Sequence, residues 1–141
     1  MFSKILVPVD GSDNSFRALD NAIFLAKSTG ASVTAIHVIE NPPTVYVESQ
    51  KLLNDLLANY RTESAKVLDK CKQIADKGGV KLETVIAEGD AASSIAGYAP
   101  KEGFDLIIIG GRGLGRFKEM VLGSVSNKVL HHAKCSVLMV K

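Results

Sequence analysis

Apolar residues are concentrated in five short segments of the chain, and longer stretches with helical periodicity separate them. The segments are Ile5–Val9, Val33–Ile39, Leu82–Ala87, Leu106–Ile109 and Val137–Val140. The fourth segment reads Leu-Ile-Ile-Ile and does not alternate with polar residues. Such an uninterrupted run is typical of a strand that is covered on both faces, as in a parallel sheet. The pattern therefore predicts five strands.

Four helices are predicted between and after these strands. The longest has apolar residues at intervals of three and four, with one gap at Ser64. The predicted limits, in chain order, are Ser12 or Asp13 to Gly30, about Ser49 to Asp76, Asp90 to Pro100, and Ser124 onward. Alternation of strand and helix predicts a parallel sheet with helices on both faces and right-handed crossovers. The segment Glu40–Glu48 contains two prolines and is predicted to be a loop.

Length and composition restrict the class of protein. The 141 residues (15.0 kDa) predict one domain over residues 1–141, and 46% hydrophobic with 23% charged residues is usual for a globular protein. A net charge of +2 is too small to indicate nucleic acid as a partner. The chain has no secretory signal and no apolar stretch of 18 residues, so no membrane partner is predicted and the expected location is cytoplasmic.

The cysteines and histidines give no metal or redox signal. Cys71 and Cys135 lie far apart, form no CxxC pair and are predicted to be small buried side chains. His37 lies within a strand and is interpreted as a packed structural residue, while His131 and His132 lie at a helix end. No group of Cys and His has the spacing of zinc ligands.

The strongest chemical signal follows the fourth strand, where four glycines fall within the six residues Gly110–Gly115. Glycines let backbone N–H groups approach an anion without interference from Cβ. Gly123 and Ser124 then begin a helix, whose unpaired N–H groups and dipole attract phosphate. A local charge of +2 comes from Arg112, Arg116, Lys118 and Glu119. These features predict phosphate binding, and the alternative is a flexible turn with solvated charges.

A second candidate is Asp10, at the carboxyl end of the first strand, where ligands bind in open parallel sheets. Its carboxylate can accept hydrogen bonds from ribose hydroxyls or help to hold a metal ion. Alternatively, Asp10 or Asp13 only caps the following helix. The strings GxxxxGK[ST] and GxSxG do not occur, and no GxGxxG follows the first strand. No catalytic residue is predicted.

The spacing from Gly110 and Gly113 to Gly123 and Ser124 has the form G-x2-G-x9-G-[ST]. It resembles the motif of the ATP-binding branch of the universal stress protein family. The segments KILVPVDGS, VTAIHVIE, EGDAASSI, FDLIIIGGRG and CSVLMVK are similar to family segments in family order, so the resemblance covers the whole chain. It implies a single-domain α/β fold of the Rossmann-like, adenine nucleotide-binding kind. That fold has an open parallel five-stranded sheet in the order 3-2-1-4-5, with helices on both faces.

The resemblance also implies an ATP site whose residues are carried over by matched position. They are Pro8, Val9, Asp10, Val38, Ile109, Gly110, Arg112, Gly113, Gly123, Ser124, Val125 and Ser126. The first four would contact adenine and ribose, the next four the ribose and first phosphates, and the last four the outer phosphates. A divalent ion, Mg²⁺ or Mn²⁺, often accompanies the phosphates in the family, although this sequence has no dedicated metal cage.

These expectations describe an ATP-binding stress-response or signalling protein, in which ATP acts as a bound ligand and is hydrolysed slowly at most. Two alternatives stay open: a weak ATPase or nucleotidyl-transfer enzyme, and a dimerisation module that binds no nucleotide. The last strand, Ser136–Val140, is predicted at a sheet edge, where unpaired N–H and C=O groups favour a homodimer. Universal stress proteins often dimerise through this strand.

Overall fold

Strands and helices alternate throughout the computed structural model, which describes residues 2–40, 49–111 and 123–141. The elements are β1 (Lys4–Pro8), α1 (Asp13–Thr29), β2 (Ser32–Ile39), α2 (Gln50–Lys77), β3 (Leu82–Glu88), α3 (Ala91–Lys101), β4 (Leu106–Gly110), α4 (Ser124–His132) and β5 (Ser136–Val140). All five predicted strands are confirmed with ends within one residue. Most of the predicted loop Glu40–Glu48, from residue 41 onward, lies outside the described residues.

The five strands form one sheet in the order β3-β2-β1-β4-β5, and every neighbouring pair is parallel. At the centre of the sheet, Ile5 of β1 pairs with Val33 of β2 and with Leu106 of β4. Because β1 and β4 have strands on both sides and helices on both faces, their side chains are almost fully buried. The predicted parallel sheet and its strand order are confirmed.

The helices divide into two layers. Chain order runs from β1 through β2 to β3 in one direction across the sheet, and then back to β4 and β5 in the other. Right-handed crossovers therefore send α1 and α2 to one face and α3 and α4 to the opposite face. The core follows this division: Leu19 and Leu68 pack with one apolar cluster, and Ile95 and Val129 pack with the other.

Helix α2 is buried along its second half only. Its buried residues are Ser64, Leu68, Cys71 and Ala75, whereas Leu52 is 60% exposed. The prediction that the whole stripe from Leu52 to Ile74 packs on the core is wrong for the first turns. A helix of 28 residues is about 42 Å long, and the strands beneath it span about 26 Å at most, so one end must overhang. The gap at Ser64 is in fact a core position, where its hydroxyl donates to the Tyr60 carbonyl at 2.9 Å.

Two smaller expectations also need correction. Pro100 does not close α3, which continues to Lys101, and the Glu102 N–H still donates to the Tyr98 carbonyl at 3.0 Å. Proline removes a single N–H, so one more helical residue costs little near a helix end.

Cys71 is fully buried as predicted, and burial raises the pKa of its thiol to about 11, but Cys135 is only half-buried.

Asp105 ties together the two central strands where they begin. Its carboxylate accepts hydrogen bonds from the Ser3 N–H at 2.8 Å, the Ser3 hydroxyl at 2.9 Å and the Lys4 N–H at 3.0 Å. The Asp105 N–H donates in return to the Lys4 carbonyl at 3.0 Å. Because the backbone N–H groups of Ser3 and Lys4 stabilise the charged form, the pKa of Asp105 lies below its usual value of 3.8.

Replacing Asp105 with Asn should lower the melting temperature by several degrees at pH 7, because an amide cannot accept at both of its heteroatoms. A depressed pKa in the folded state gives stability that is present at neutral pH and is lost as the pH falls through the folded-state pKa. The difference between wild type and Asp105→Asn should therefore shrink between pH 5 and pH 2 in thermal melts. Asp20→Asn, at an exposed position of α1, is the matched control. A difference that stays constant over this range would contradict the role given to Asp105.

Candidate functional site

A cavity of about 400 Å³ opens at the carboxyl ends of β1, β2 and β4. It lies where the chain leaves β1 toward α1 on one face and leads from β4 to α4 on the other, which is the usual ligand position in an open parallel sheet. Its volume falls within the range of small-molecule sites. The lining residues are Pro8, Val9, Asp10, Ser15, Ile36, Val38, Glu40, Ala91, Ile95, Ile109, Gly110, Gly123, Ser124, Val125 and Ser126.

The sequence-based set and this lining overlap strongly. Ten of the twelve predicted residues line the cavity, and the other two, Arg112 and Gly113, lie outside the described residues. The structure adds Ser15, Ile36, Glu40, Ala91 and Ile95. Side chains alternate along a strand, so the position of Val38 already implies that Ile36 shares its face of β2 and that Glu40, which directly follows the strand, continues the same row. The residues from α1 and α3 carry no comparable signal, because their approach depends on helix packing.

The turn after β1 shows that Asp10 is not the cap of α1. Ser12 is the N-cap of α1, and its hydroxyl oxygen accepts from the Ser15 N–H at 3.2 Å. Asp10 instead accepts from the Ser12 N–H at 2.9 Å, which fixes its carboxylate at the cavity wall. Neither Asp10 nor Asp13 caps the helix through its side chain. Asp10 is therefore an oriented acceptor at the end of a central strand.

Helix α4 begins at the cavity, and none of the described side chains caps it. The side chains of Ser12, Ser49 and Asp90 cap the other three helices, whereas α4 has Gly123 at its N-cap and no side-chain hydrogen bond there. Its first three residues, 124–126, all line the cavity. The unpaired N–H groups of a first helical turn, together with the positive end of the dipole, form a site that favours an anion.

Ser126 holds the start of α4 against the end of β4. Its side chain is buried, and its hydroxyl lies 3.0 Å from the Gly123 carbonyl and 3.2 Å from the Gly111 carbonyl. The Gly123 N–H also donates to the Gly111 carbonyl. A hydroxyl has one hydrogen to donate, and these carbonyls occupy it. Ser126 can therefore offer a ligand its backbone N–H, but its hydroxyl has a structural use that the sequence did not indicate.

The cavity has opposite electrostatic character at its two ends. Asp10 and Glu40 lie on the side of β1 and β2, and the positive end of α4 lies on the side of β4. Between them the wall is apolar, with Val38, Ile95 and Ile109. Since β1 separates β2 from β4, the two ends are about 10 Å apart. The described lining fits a ligand with a flat, hydrogen-bonding group at one end and an anion at the other.

His37 does not line the cavity. It alternates with Val38 along β2 and so faces the α1 and α2 layer, where burial lowers its pKa and the nearby Asp10 raises it by a smaller amount. Its Nδ1 is buried and has no hydrogen-bond partner among the described residues. This agrees with its interpretation as a packed residue.

Within residues 2–40, 49–111 and 123–141, no group of three or more His, Cys, Asp or Glu side chains is placed to hold a metal ion. Among the helices described, none is both long enough and apolar enough to cross a membrane.

Comparison with known proteins gives one consistent family. The model of the universal stress protein family matches residues 1–141. The universal stress protein YxiE of Bacillus subtilis is 38% identical over 149 aligned positions that cover 100% of both chains. The structure of the universal stress protein UspA from Lactobacillus plantarum superposes with a TM-score of 0.90 at 27% identity, covering 99% of this chain and 98% of that one. The universal stress protein from Archaeoglobus fulgidus in complex with dAMP shares the fold, with a TM-score of 0.72 at 23% identity over 100% and 98% of the two chains.

Gly110, at the end of β4, is the position at which the close approach of α1 can be tested. A Cβ on Gly110 would lie 2.8 Å from the backbone carbonyl of Asn14, so Gly110→Ala should reduce the free energy of unfolding by about 1–3 kcal/mol. In Gly97→Ala, the added Cβ meets nothing within 4 Å on α3, and the change should stabilise by roughly 0.5–1 kcal/mol. Urea unfolding of both variants measures the difference. Equal stability of the two variants would mean that the approach is looser than described.

Proposed function

This chain belongs to the universal stress protein family, and we propose that it is an ATP-binding member whose nucleotide serves as a signal. In this proposal the domain spans residues 1–141 and acts in the cytoplasm in a stress response. ATP is bound rather than turned over. Bound ATP would change the protein surface around the start of α4, and other proteins would contact that surface.

The observation that carries the proposal is the polarised cavity. An adenine nucleotide matches it end for end, because the base has flat apolar faces and hydrogen-bonding edges, the ribose offers hydroxyl donors and the phosphates are anionic. Adenine would pack on Val38, the ribose would donate to Asp10, and the phosphates would meet the first N–H groups of α4. Arg112 and Gly113, which the family motif assigns to the ribose and first phosphates, complete the proposed set of contacts.

A divalent ion fits this site only as a companion of the phosphates. The described lining holds two carboxylates, Asp10 and Glu40, and this is fewer than the oxygen ligands that Mg²⁺ or Mn²⁺ takes. Phosphate oxygens and water would supply the others.

Within the described lining, the enzyme alternative has no base assigned to the phosphate end of the cavity. Asp10 and Glu40 are the ionisable side chains in the described lining, and they follow β1 and β2 rather than belonging to α4. General base catalysis needs a group within hydrogen-bond reach of the attacking water. We therefore propose that ATP is hydrolysed slowly at most, and we assign no catalytic residue.

The proposed assembly is a homodimer joined through β5. This strand lies at one edge of the sheet, and Leu138 at its middle is 40% exposed. An edge strand leaves a row of N–H and C=O groups unpaired, and pairing with a second copy about a two-fold axis would satisfy both rows. The strand has no proline and no charged residue within its length, so little in its sequence opposes such pairing.

ATP with magnesium should raise the melting temperature of nucleotide-free protein, because a ligand that binds only the folded state stabilises it by mass action. Ser124→Pro should reduce the affinity for ATP at least tenfold, since it removes the first N–H of α4. Proline suits the first position of a helix, and Gly123 already has the extended conformation (φ −67°, ψ 158°) that precedes proline. The fold should therefore survive.

Ser124→Ala is the matched control, because it removes the hydroxyl and keeps the N–H. It should cost about 1 kcal/mol of binding free energy, or roughly fivefold in affinity. Titration calorimetry of both variants, with melting curves taken without ligand, separates a binding defect from a folding defect. Absence of any ATP-induced shift at millimolar ATP, or an unchanged affinity in Ser124→Pro, would contradict the proposed site.

For the homodimer, Leu138→Lys should shift the protein to a monomer at tens of micromolar concentration, because lysine on an edge strand opposes pairing with another chain. Ile86→Lys makes the same change on β3, the opposite edge, where Ile86 is 44% exposed. This control should leave the mass unchanged. Sedimentation equilibrium gives the answer: a 15 kDa wild-type species, or dissociation by Ile86→Lys alone, would rule out an interface at β5.

A further inference from the structure

Glu40 lies at the end of the cavity opposite to α4. It directly follows β2, and it continues the row of Ile36 and Val38, which face the cavity from the same strand. Val38 also packs against the apolar cluster that contains Ile95 of α3. Glu40, an exposed residue, therefore lies at the rim of an apolar slot between β2 and α3. In the proposed function, on which this inference rests, the slot receives the base.

The orientation of the ligand follows from charge. Asp10 and Glu40 are the charged side chains of the described lining, and both repel phosphate. The uncapped first turn of α4 attracts phosphate from the far side of β1. A nucleotide placed with its phosphates at α4 directs its base, about 10 Å away, toward β2. The group nearest to Glu40 is then an edge of the base.

A carboxylate at that edge distinguishes bases by their hydrogen-bonding groups. An ionised carboxylate only accepts hydrogen bonds. Adenine presents an exocyclic amino group, which donates. Hypoxanthine has the same size and shape but presents an oxo group there, which would face the carboxylate oxygen with no proton between them. The 6-oxo base would lose the hydrogen bond that adenine makes and would bring two acceptors together, which disfavours it relative to the 6-amino base.

We propose that Glu40 is a specificity-determining residue that selects a 6-amino purine nucleotide over its 6-oxo analogue. The preference belongs to the base end of the cavity and is independent of how the phosphates are held. Glu88 offers a matched comparison. It ends the neighbouring strand β3, pairs with Ile39 in the register of β2, forms an exposed ion pair with Arg61 at 3.5 Å and does not line the cavity.

The test is calorimetric titration of nucleotide-free wild type, Glu40→Gln, Glu40→Ala and Glu88→Gln with ATP and with ITP. Wild type should bind ATP at least about tenfold more tightly than ITP, the factor that one hydrogen bond to a charged group supplies. Glu40→Gln should bring the two affinities within threefold, because its amide can donate to the oxo group or accept from the amino group. Glu40→Ala should also reduce the ratio of ATP affinity to ITP affinity, and Glu88→Gln should leave this ratio as in wild type.

The ratio of ATP affinity to ITP affinity distinguishes recognition of the base from a general effect of charge. Removal of one negative charge would strengthen ATP and ITP binding equally and leave their ratio unchanged. If Glu40→Gln and Glu40→Ala keep the wild-type ratio, or if wild type binds ATP and ITP alike, the role of Glu40 is overturned while nucleotide binding stands. If wild type binds neither nucleotide, the proposed function itself fails and this inference fails with it. Melting curves confirm the fold of each variant, whose changes lie at exposed strand ends.

Discussion

The rest of the structure depends on the divergence of the chain at the two central strands. β1 and β4 are neighbours, yet the chain connects them to β2 and β5 on opposite sides. Right-handed crossovers then require α1 and α4 to lie on opposite faces of the sheet. Among residues 2–40, 49–111 and 123–141, the cavity occupies the gap that this divergence leaves at the carboxyl ends of the two strands. Its position therefore follows from handedness and strand order before any particular side chain is considered.

Short backbone contacts keep this gap open in a defined shape. On one wall, the turn after β1 is fixed by the bond from the Ser12 N–H to Asp10, and the first turn of α1 lies against Gly110. On the other, Ser126 and the Gly123 N–H fasten the start of α4 to Gly111. Both walls are thus attached to the end of β4. A ligand would meet groups that are already oriented, which reduces the entropy lost on binding.

The same cavity combines groups that would conflict if they were mixed. A carboxylate near a phosphate is repulsive. N–H groups at a helix start would have no anion to bind if they faced the base. Here β1 and β2 supply Asp10 and Glu40, and α4 supplies its N–H groups from the far side of β1. This separation gives a nucleotide one favourable orientation. It also explains why the proposed base specificity and the proposed phosphate binding can be altered independently.

Strand limits, helix caps and the parallel sheet were predictable, because they depend on local patterns such as the apolar run Leu106–Ile109, the Ser12 cap and Gly30 at the end of α1. The spacing of Gly110, Gly113, Gly123 and Ser124 pointed to a family resemblance, and that resemblance, by matched position, named most of the residues that line the cavity. Other features required the packed structure. Ile95 reaches the cavity, Ser126 uses its hydroxyl on carbonyls, and α2 overhangs the sheet. Local sequence sets what a segment forms, whereas the distances between segments arise only when the helices pack on the sheet.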